Sequence, residues 1–263
     1  MSAGELVEVS RAGPVTTVTL NRPEALNSVT IEMHHALQAA FDAFAADDAQ
    51  QICVVTGAGD RAFCAGSDVK AAAAAGGLPT DYPANGYAGL ARRFDCPKPF
   101  IAAVTGLALG GGFEIALACD LIVAADHATF GLPEPLIGAV ALGGGLHRLA
   151  RQLPLKQAMG LILSSRPITA EVTLGLGLVN EVVPAGELMA AVGRWCDDIL
   201  RASPVAIRAS KATALRGLDE ASLAEALAKQ AGYPEFAAWW ESEDLKEGLA
   251  SFAGKRPPEW MGR

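Results

Sequence analysis

Residues 101–126 read IAAVTGLALGGGFEIALACDLIVAAD, and the rest of the chain is organised around them. Residues 101–104 are a short apolar run closed by Thr105-Gly106, which suits a strand buried on both faces. Gly110, Gly111 and Gly112 follow, and residues 113–119 make a good helical segment before a second buried strand at residues 121–125. Three glycines between strand and helix let the backbone approach a ligand where side chains would block it. The free N–H groups of the helix's first turn point at whatever sits there, with the positive end of the helix dipole behind them. Such an end binds a phosphate, a carboxylate or a developing oxyanion. Glu114, in that first turn, repels a permanent anion and is better placed to move a proton beside a carbonyl oxygen. The stretch reads as a reaction site.

The 263 residues are 51% hydrophobic and 19% charged, enough to bury one large core plus an appendage. A formal net charge of −8 argues against general nucleic-acid or anionic-membrane binding, so an anionic ligand needs a local basic patch. Cys53, Cys64, Cys96, Cys119 and Cys196 show no paired metal spacing, and several sit in apolar runs, which fits reduced thiols of a cytoplasmic protein. His34, His35, His127 and His147 show no ligand spacing either, and no metal site is expected. No basic-then-apolar leader opens the chain and no apolar run spans a bilayer, so a soluble protein with no membrane partner is expected.

Residues 15–20 (VTTVTL) are β-branched and predict a strand stopped by Asn21-Arg22-Pro23. Thr30 caps an expected helix over residues 31–46, with Met33, Leu37, Ala40, Phe41 and Phe44 on one face. Residues 52–56 predict another buried strand, followed by the loop 60–70 (DRAFCAGSDVK), an alanine run and an irregular Gly/Pro/Tyr segment, residues 76–89, that reads as a candidate lid. Residues 129–138 (TFGLPEPLIG) hold two prolines around Glu134 and cannot form a continuous helix. Gly143-Gly144-Gly145 opens a helix through Leu149; helices at 155–163, 171–176 and 188–202 and a strand at 179–183 follow. From Ser203-Pro204 onward only helices are predicted, over 205–215, 220–229 and 244–252, with Trp239 and Trp240 between the last two. A repeated strand–helix body with a helical tail is an α/β core plus a helical module.

Each chemical motif has a plain competitor. Residues 57–62 (GAGDRA) match the letters of a dinucleotide fingerprint, but Phe63-Cys64-Ala65-Gly66 follows where a helix is required. Ser67 stands three residues before Lys70, the spacing of Ser–Lys hydrolases, without their companion motifs; a helix-capping serine with a surface lysine is the alternative. Glu114 and Glu134 read either as ordinary carboxylates or as a pair that divides acid and base roles when its surroundings separate the two pKa values.

Taken together, Asn21-Arg22-Pro23 with Ala25-Leu26-Asn27, residues 62–70 (AFCAGSDVK), residues 108–114 (ALGGGFE) and residues 130–134 (FGLPE) resemble the crotonase (enoyl-CoA hydratase/isomerase) superfamily. The similarity runs over essentially the whole chain, including residues 242–256 (SEDLKEGLASFAGKR). The tail and residues 86–90 (GYAGL) look most like its carnitinyl-CoA dehydratase branch. The resemblance implies an α/β, crotonase-like spiral of ββα units, with a core over residues 1–200 and a helical C-terminal module over 201–263 that assembles homotrimers or dimers of trimers. It implies an acyl-CoA thioester substrate in lipid metabolism, with coenzyme A as part of the substrate and no separate cofactor.

It also implies residue roles. The backbone N–H groups of Ser67 and Gly111 would form an oxyanion hole; Glu114 would take a proton from water and Glu134 would protonate Cα. Ala65, Ser67, Asp68 and Val69 would cradle the adenine end of coenzyme A, with Ala25 and Lys70 nearby and Lys255, of the same or a neighbouring subunit, meeting the 3′-phosphate. An isomerase using one carboxylate, a Ser67–Lys70 hydrolase and a non-catalytic subunit are the alternatives; the presence of both glutamates favours hydration. One departure bears on the substrate: Ala141-Leu142 stands where the family's hydratases usually have Pro-Gly. With Leu142 narrowing the apolar stretch 138–146 (GAVALGGGL), neutral aliphatic enoyl thioesters are expected over crotonobetainyl-CoA, although Tyr82 and Tyr87 could offer aromatic faces to a cation.

Overall fold

The computed structural model describes residues 6–77 and 81–263. They fall into two units: the described residues up to Arg93 with Phe100–Gly193, and Phe94–Pro99 with Arg194–Arg263. No described helix is long and apolar enough to cross a membrane.

The first unit carries two sheets. Its strands, in chain order, are β1 (Val7–Ala12), β2 (Val15–Leu20), β3 (Ile52–Gly57), β4 (Ala62–Cys64), β5 (Phe100–Val104), β6 (Leu107–Leu109), β7 (Leu121–Ala125), β8 (Thr129–Gly131), β9 (Ile168–Thr169) and β10 (Glu181–Val183). Six of them form a sheet in the order β1-β2-β3-β5-β7-β10, and four form a second in the order β4-β6-β8-β9. In the larger sheet only β1 runs antiparallel to its neighbour. Its central strands are buried on both faces, from Val54 and Val55 through Ile101–Val104 to Val123–Ala125, as parallel strands covered by helices must be.

The helices of this unit are α1 (Ile31–Ala46), α2 (Val69–Ala74), α3 (Gly111–Ala118), α4 (Gly145–Gln152), α5 (Leu155–Ser164), α6 (Ala170–Gly175) and the start of α7 (Leu188–Leu200). The Thr30 hydroxyl accepts from the Met33 amide at 3.3 Å and caps α1, which buries Met33, Leu37, Phe41 and Phe44. Phe41 and Phe44 meet Phe100 of β5 edge-on, at ring-centroid distances of 5.7 and 5.4 Å. Burying aromatic side chains of this size contributes about 1.5–3 kcal/mol each, so α1 is fastened to the centre of the sheet. Cys53, Cys64, Cys96, Cys119 and Cys196 are all buried, unbridged thiols.

The second unit is helical: the rest of α7, then α8 (Pro204–Gly217), α9 (Leu223–Lys229), α10 (Pro234–Trp240) and α11 (Glu243–Gly254). Serines at 203, 222 and 242 cap α8, α9 and α11. Asp244 is buried; it accepts from the Ser203 hydroxyl at 2.7 Å and from the amides of Met261 and Gly262, which ties the chain's last residues to two helix starts. Trp239 and Trp240, read from sequence as a connection, close α10 instead: Pro234 at the first turn starts a helix in which Phe236 stacks on Trp240.

Candidate active site

Three neighbouring strands of the small sheet deliver the candidate groups. β4, β6 and β8 are parallel, and the chain leaves their C-terminal ends toward Ser67, toward Gly111 and Glu114, and toward Glu134. The ends of adjacent parallel strands are where α/β folds gather functional side chains.

Ser67 forms a parallel bridge with Val29: the Val29 amide donates to the Gly66 carbonyl at 2.8 Å and the Asp68 amide to the Val29 carbonyl at 3.1 Å. Successive backbone groups alternate in direction, so the Ser67 N–H faces away from Val29. A Cβ on Gly66 would lie 3.1 Å from the Gly111 nitrogen, which sets this loop against the first turn of α3. Neither the Ser67 nor the Gly111 amide donates to a protein acceptor among the described residues. Two such N–H groups, one backed by a helix N-terminus, can hold an oxyanion.

The loop is pinned from below. Arg22 donates to the Ser28 carbonyl at 2.7 Å and pairs with Asp68 at 3.1 Å, while Asn27 donates to the carbonyls of Ala58 and Ala62. The Ala65 amide donates to the Leu26 carbonyl at 3.0 Å, which brings Ala25–Leu26 beside residues 65–69. Asp68, not Ser67, caps α2, accepting from the Ala71 amide at 3.0 Å; that bond and Arg22 hold its carboxyl below the usual range. Val69 and Lys70 are exposed. β4 follows directly on the fingerprint-like residues 57–62, so the helix required for a dinucleotide site is absent there.

Glu114 is 3% exposed, on the inner face of α3. Its carboxylate accepts from the Gly145 amide at 2.8 Å. A Cβ on Gly143 would lie 2.5 Å from Oε2 and one on Gly145 2.9 Å from Cγ, so bare backbone wraps the carboxylate. Burial raises its pKa, with the Gly145 amide and nearby Arg148 opposing. Glu134 opens a short 3-10 turn after β8 (residues 134–137). Its Oε1 lies 3.0 Å from where a Gly110 Cβ would stand, and its Oε2 is buried without a hydrogen-bond partner among the described residues. Burial, with a further push from Glu114, raises Glu134 to about 7. The two carboxyls therefore differ: one is supplied with an amide donor, the other is desolvated and holds its proton near neutrality.

Several residues were not foreseen here. Arg148, which donates to the Ala91 carbonyl at 3.0 Å, is a cation near Glu114. His34 is buried and accepts from the Ala88 amide at 2.8 Å, and its ring meets Tyr82 and Tyr87 edge-on. Tyr87 belongs to the segment read as a lid, of which residues 78–80 lie outside the described residues. Its hydroxyl is 3.2 Å from the Ser67 hydroxyl, and Lys70 makes no bond to that serine. Leu142 corrects the pocket reading: its side chain is 84% exposed, so it does not narrow the space around Glu114. Lys255 caps α11 in the second unit with φ 52° and is exposed.

A family model described as Enoyl-CoA hydratase/isomerase matches residues 10–263. The chain therefore belongs to the enoyl-CoA hydratase/isomerase family, the crotonase superfamily, and has its α/β fold. It is 39% identical over 259 residues to the carnitinyl-CoA dehydratase of Proteus mirabilis, covering 98% of each chain. Among solved structures it resembles an enoyl-CoA hydratase from Mycobacterium marinum, with a TM-score of 0.91 and 39% identity over 99% of this chain and 100% of that one. An enoyl-CoA hydratase from Mycobacterium tuberculosis gives a TM-score of 0.91 at 36% identity, with the same coverage.

Proposed function

We propose that the protein adds water reversibly across the 2,3-double bond of an enoyl-CoA thioester. The observation that carries this is the division between Glu114, which accepts from the Gly145 amide, and Glu134, raised to about 7, beside the Ser67 and Gly111 amides, which donate to no protein acceptor among the described residues. The thioester oxygen would sit between those amides, each worth about 3–4 kcal/mol as charge moves onto it. Ionised Glu114 would take a proton from water as it attacks Cβ, and protonated Glu134 would deliver one to Cα. Residues 65–70 and Ala25 would hold the nucleotide end of coenzyme A. An isomerase needs one carboxylate to shuttle a proton; both are in place here. A Ser67–Lys70 hydrolase is disfavoured because the Ser67 hydroxyl faces Tyr87 and Lys70 is exposed.

A second reading, carnitinyl-CoA dehydratase, draws support from two observations. Leu142 leaves the pocket, which removes the objection to a cationic acyl group, and the Tyr82 and Tyr87 rings lie 6.0 Å apart, able to face a trimethylammonium. Incubation with crotonyl-CoA should lower the conjugated thioester absorbance to an equilibrium value; a parallel run with crotonobetainyl-CoA compares kcat/KM. A clear preference for the cationic thioester would select the second reading. Migration of the double bond with no water added would sink both.

We infer further that the second unit assembles copies of the chain, since Leu218 and Phe252 are 77% and 88% exposed, with Leu223 and Leu249 similarly bare. Sedimentation at micromolar concentration should give a trimer or hexamer. An active monomer would contradict it.

A further inference from the structure

We propose that the Tyr87 hydroxyl is a third hydrogen-bond donor to the thioester oxygen, placed beside the Ser67 and Gly111 amides. The inference rests on the acyl-thioester reading above and concerns a hydroxyl that reading does not use.

Three observations place the phenol there. A Cβ on Gly111 would overlap the Tyr87 hydroxyl, so that oxygen packs directly on the residue whose amide faces the substrate. The same hydroxyl lies 3.2 Å from the Ser67 hydroxyl, on the residue carrying the other amide. At the opposite end of the side chain, a Cβ on Gly143 would lie 3.2 Å from the Tyr87 Cβ, so the ring spans from the glycines around Glu114 to the two amides. Tyr87 is buried, and burial raises its phenol well above the usual range, with Cys64 and Glu114 adding to the shift. It stays a donor at any working pH.

The backbone around it is held in a costly form. Ala88 has φ 54°, a left-handed conformation that is unfavourable for a residue with a Cβ. The His34 ring nitrogen that accepts from the Ala88 amide fixes it, and Gly89, with φ 64°, lies so close to the Gln38 backbone that a Cβ there would lie 2.5 Å from its Cα. Strain over-determined by its surroundings in this way gathers at ligand-holding segments. Here it aims one hydroxyl.

Tyr87→Phe removes the oxygen and keeps the ring. With crotonyl-CoA it should lower kcat/KM by about 10–100-fold, most of it in kcat, because the bond strengthens as charge develops. A structural defect could also slow turnover, so the deciding measurement is the absorption of bound hexa-2,4-dienoyl-CoA, whose conjugated system shifts to longer wavelength as its carbonyl is polarised. The wild-type protein should shift it strongly and Tyr87→Phe less. 3-Fluorotyrosine at position 87, a stronger donor, should increase the shift and serves as the test if the phenylalanine variant does not fold. An equal shift in wild type and Tyr87→Phe overturns the proposal, whatever happens to turnover. A wild-type protein that binds no acyl-CoA overturns the thioester reading, and the proposal falls with it.

Discussion

Glu114→Gln and Glu134→Gln each lower hydration of crotonyl-CoA by about 10²–10⁴-fold, with thermal melting little changed. Glutamine keeps the shape of the side chain and cannot exchange a proton. Near-normal kcat in either variant would remove that residue from the mechanism. The pH dependence adds a sign. During hydration Glu114 gains a proton while Glu134 loses one, and during dehydration the transfers reverse. The pair needs one proton in total in both directions, so the two kcat/KM profiles must share one shape. Glu134 titrates at about 7, so activity in both directions should fall together as pH rises past that value. A profile flat to strongly alkaline pH would contradict the assignment of Glu134 as the acid.

Gly112→Ala damages the fold and the site at once. An added Cβ would overlap the carbonyl of Cys64, which is backbone at the end of β4 and cannot swing aside as a side-chain tip can. Helix α3 must back away, and overpacking of this kind costs about 1–3 kcal/mol. The same retreat carries the Gly111 amide off the thioester oxygen, and a displacement of about 1 Å can cost on the order of 10²-fold in rate. Gly160→Ala is the control. That glycine lies inside α5 with open space around it, so alanine should keep turnover and add up to about 1 kcal/mol of stability through helix propensity. Gly112→Ala that melts and turns over like the control would show that α3 is not held against β4.

The sequence made some elements plain and hid others for physical reasons. Helix α1 announced itself through a cap and a helical apolar stripe, and the structure has both. β5 and β7 were equally plain, because strands buried on both faces are unbroken apolar runs. β1 passed unread because five of its six residues are exposed, leaving no alternation to see. β4, β6 and β8 have three residues each, too few to show any period, yet they assemble the site. The glutamates and the glycine turn stood out locally. Tyr87 stood out as an aromatic face and not as a hydroxyl beside Ser67, because that contact joins parts of the chain 20 residues apart. Leu142 misled because apolar neighbours say nothing about which way a side chain turns.

The small sheet also bears on how a chain like this diverges. Leu109 of β6 is paired with Gly131 of β8, and the Gly110 amide donates to the Gly131 carbonyl at 2.8 Å. Gly111 stands two residues beyond that rung on one strand and Glu134 three beyond it on the other, at an interstrand spacing of about 4.8 Å. The separation of the proposed reacting groups is thus inherited from a backbone ladder, which no side-chain substitution rewrites. Tyr82 stands outside the strands, where exchanges alter what the pocket admits. Mutational drift can therefore reassign the acyl group while the proton-transfer geometry stays fixed, and relatives with different preferences need share little more than these rungs and the glycines beside them.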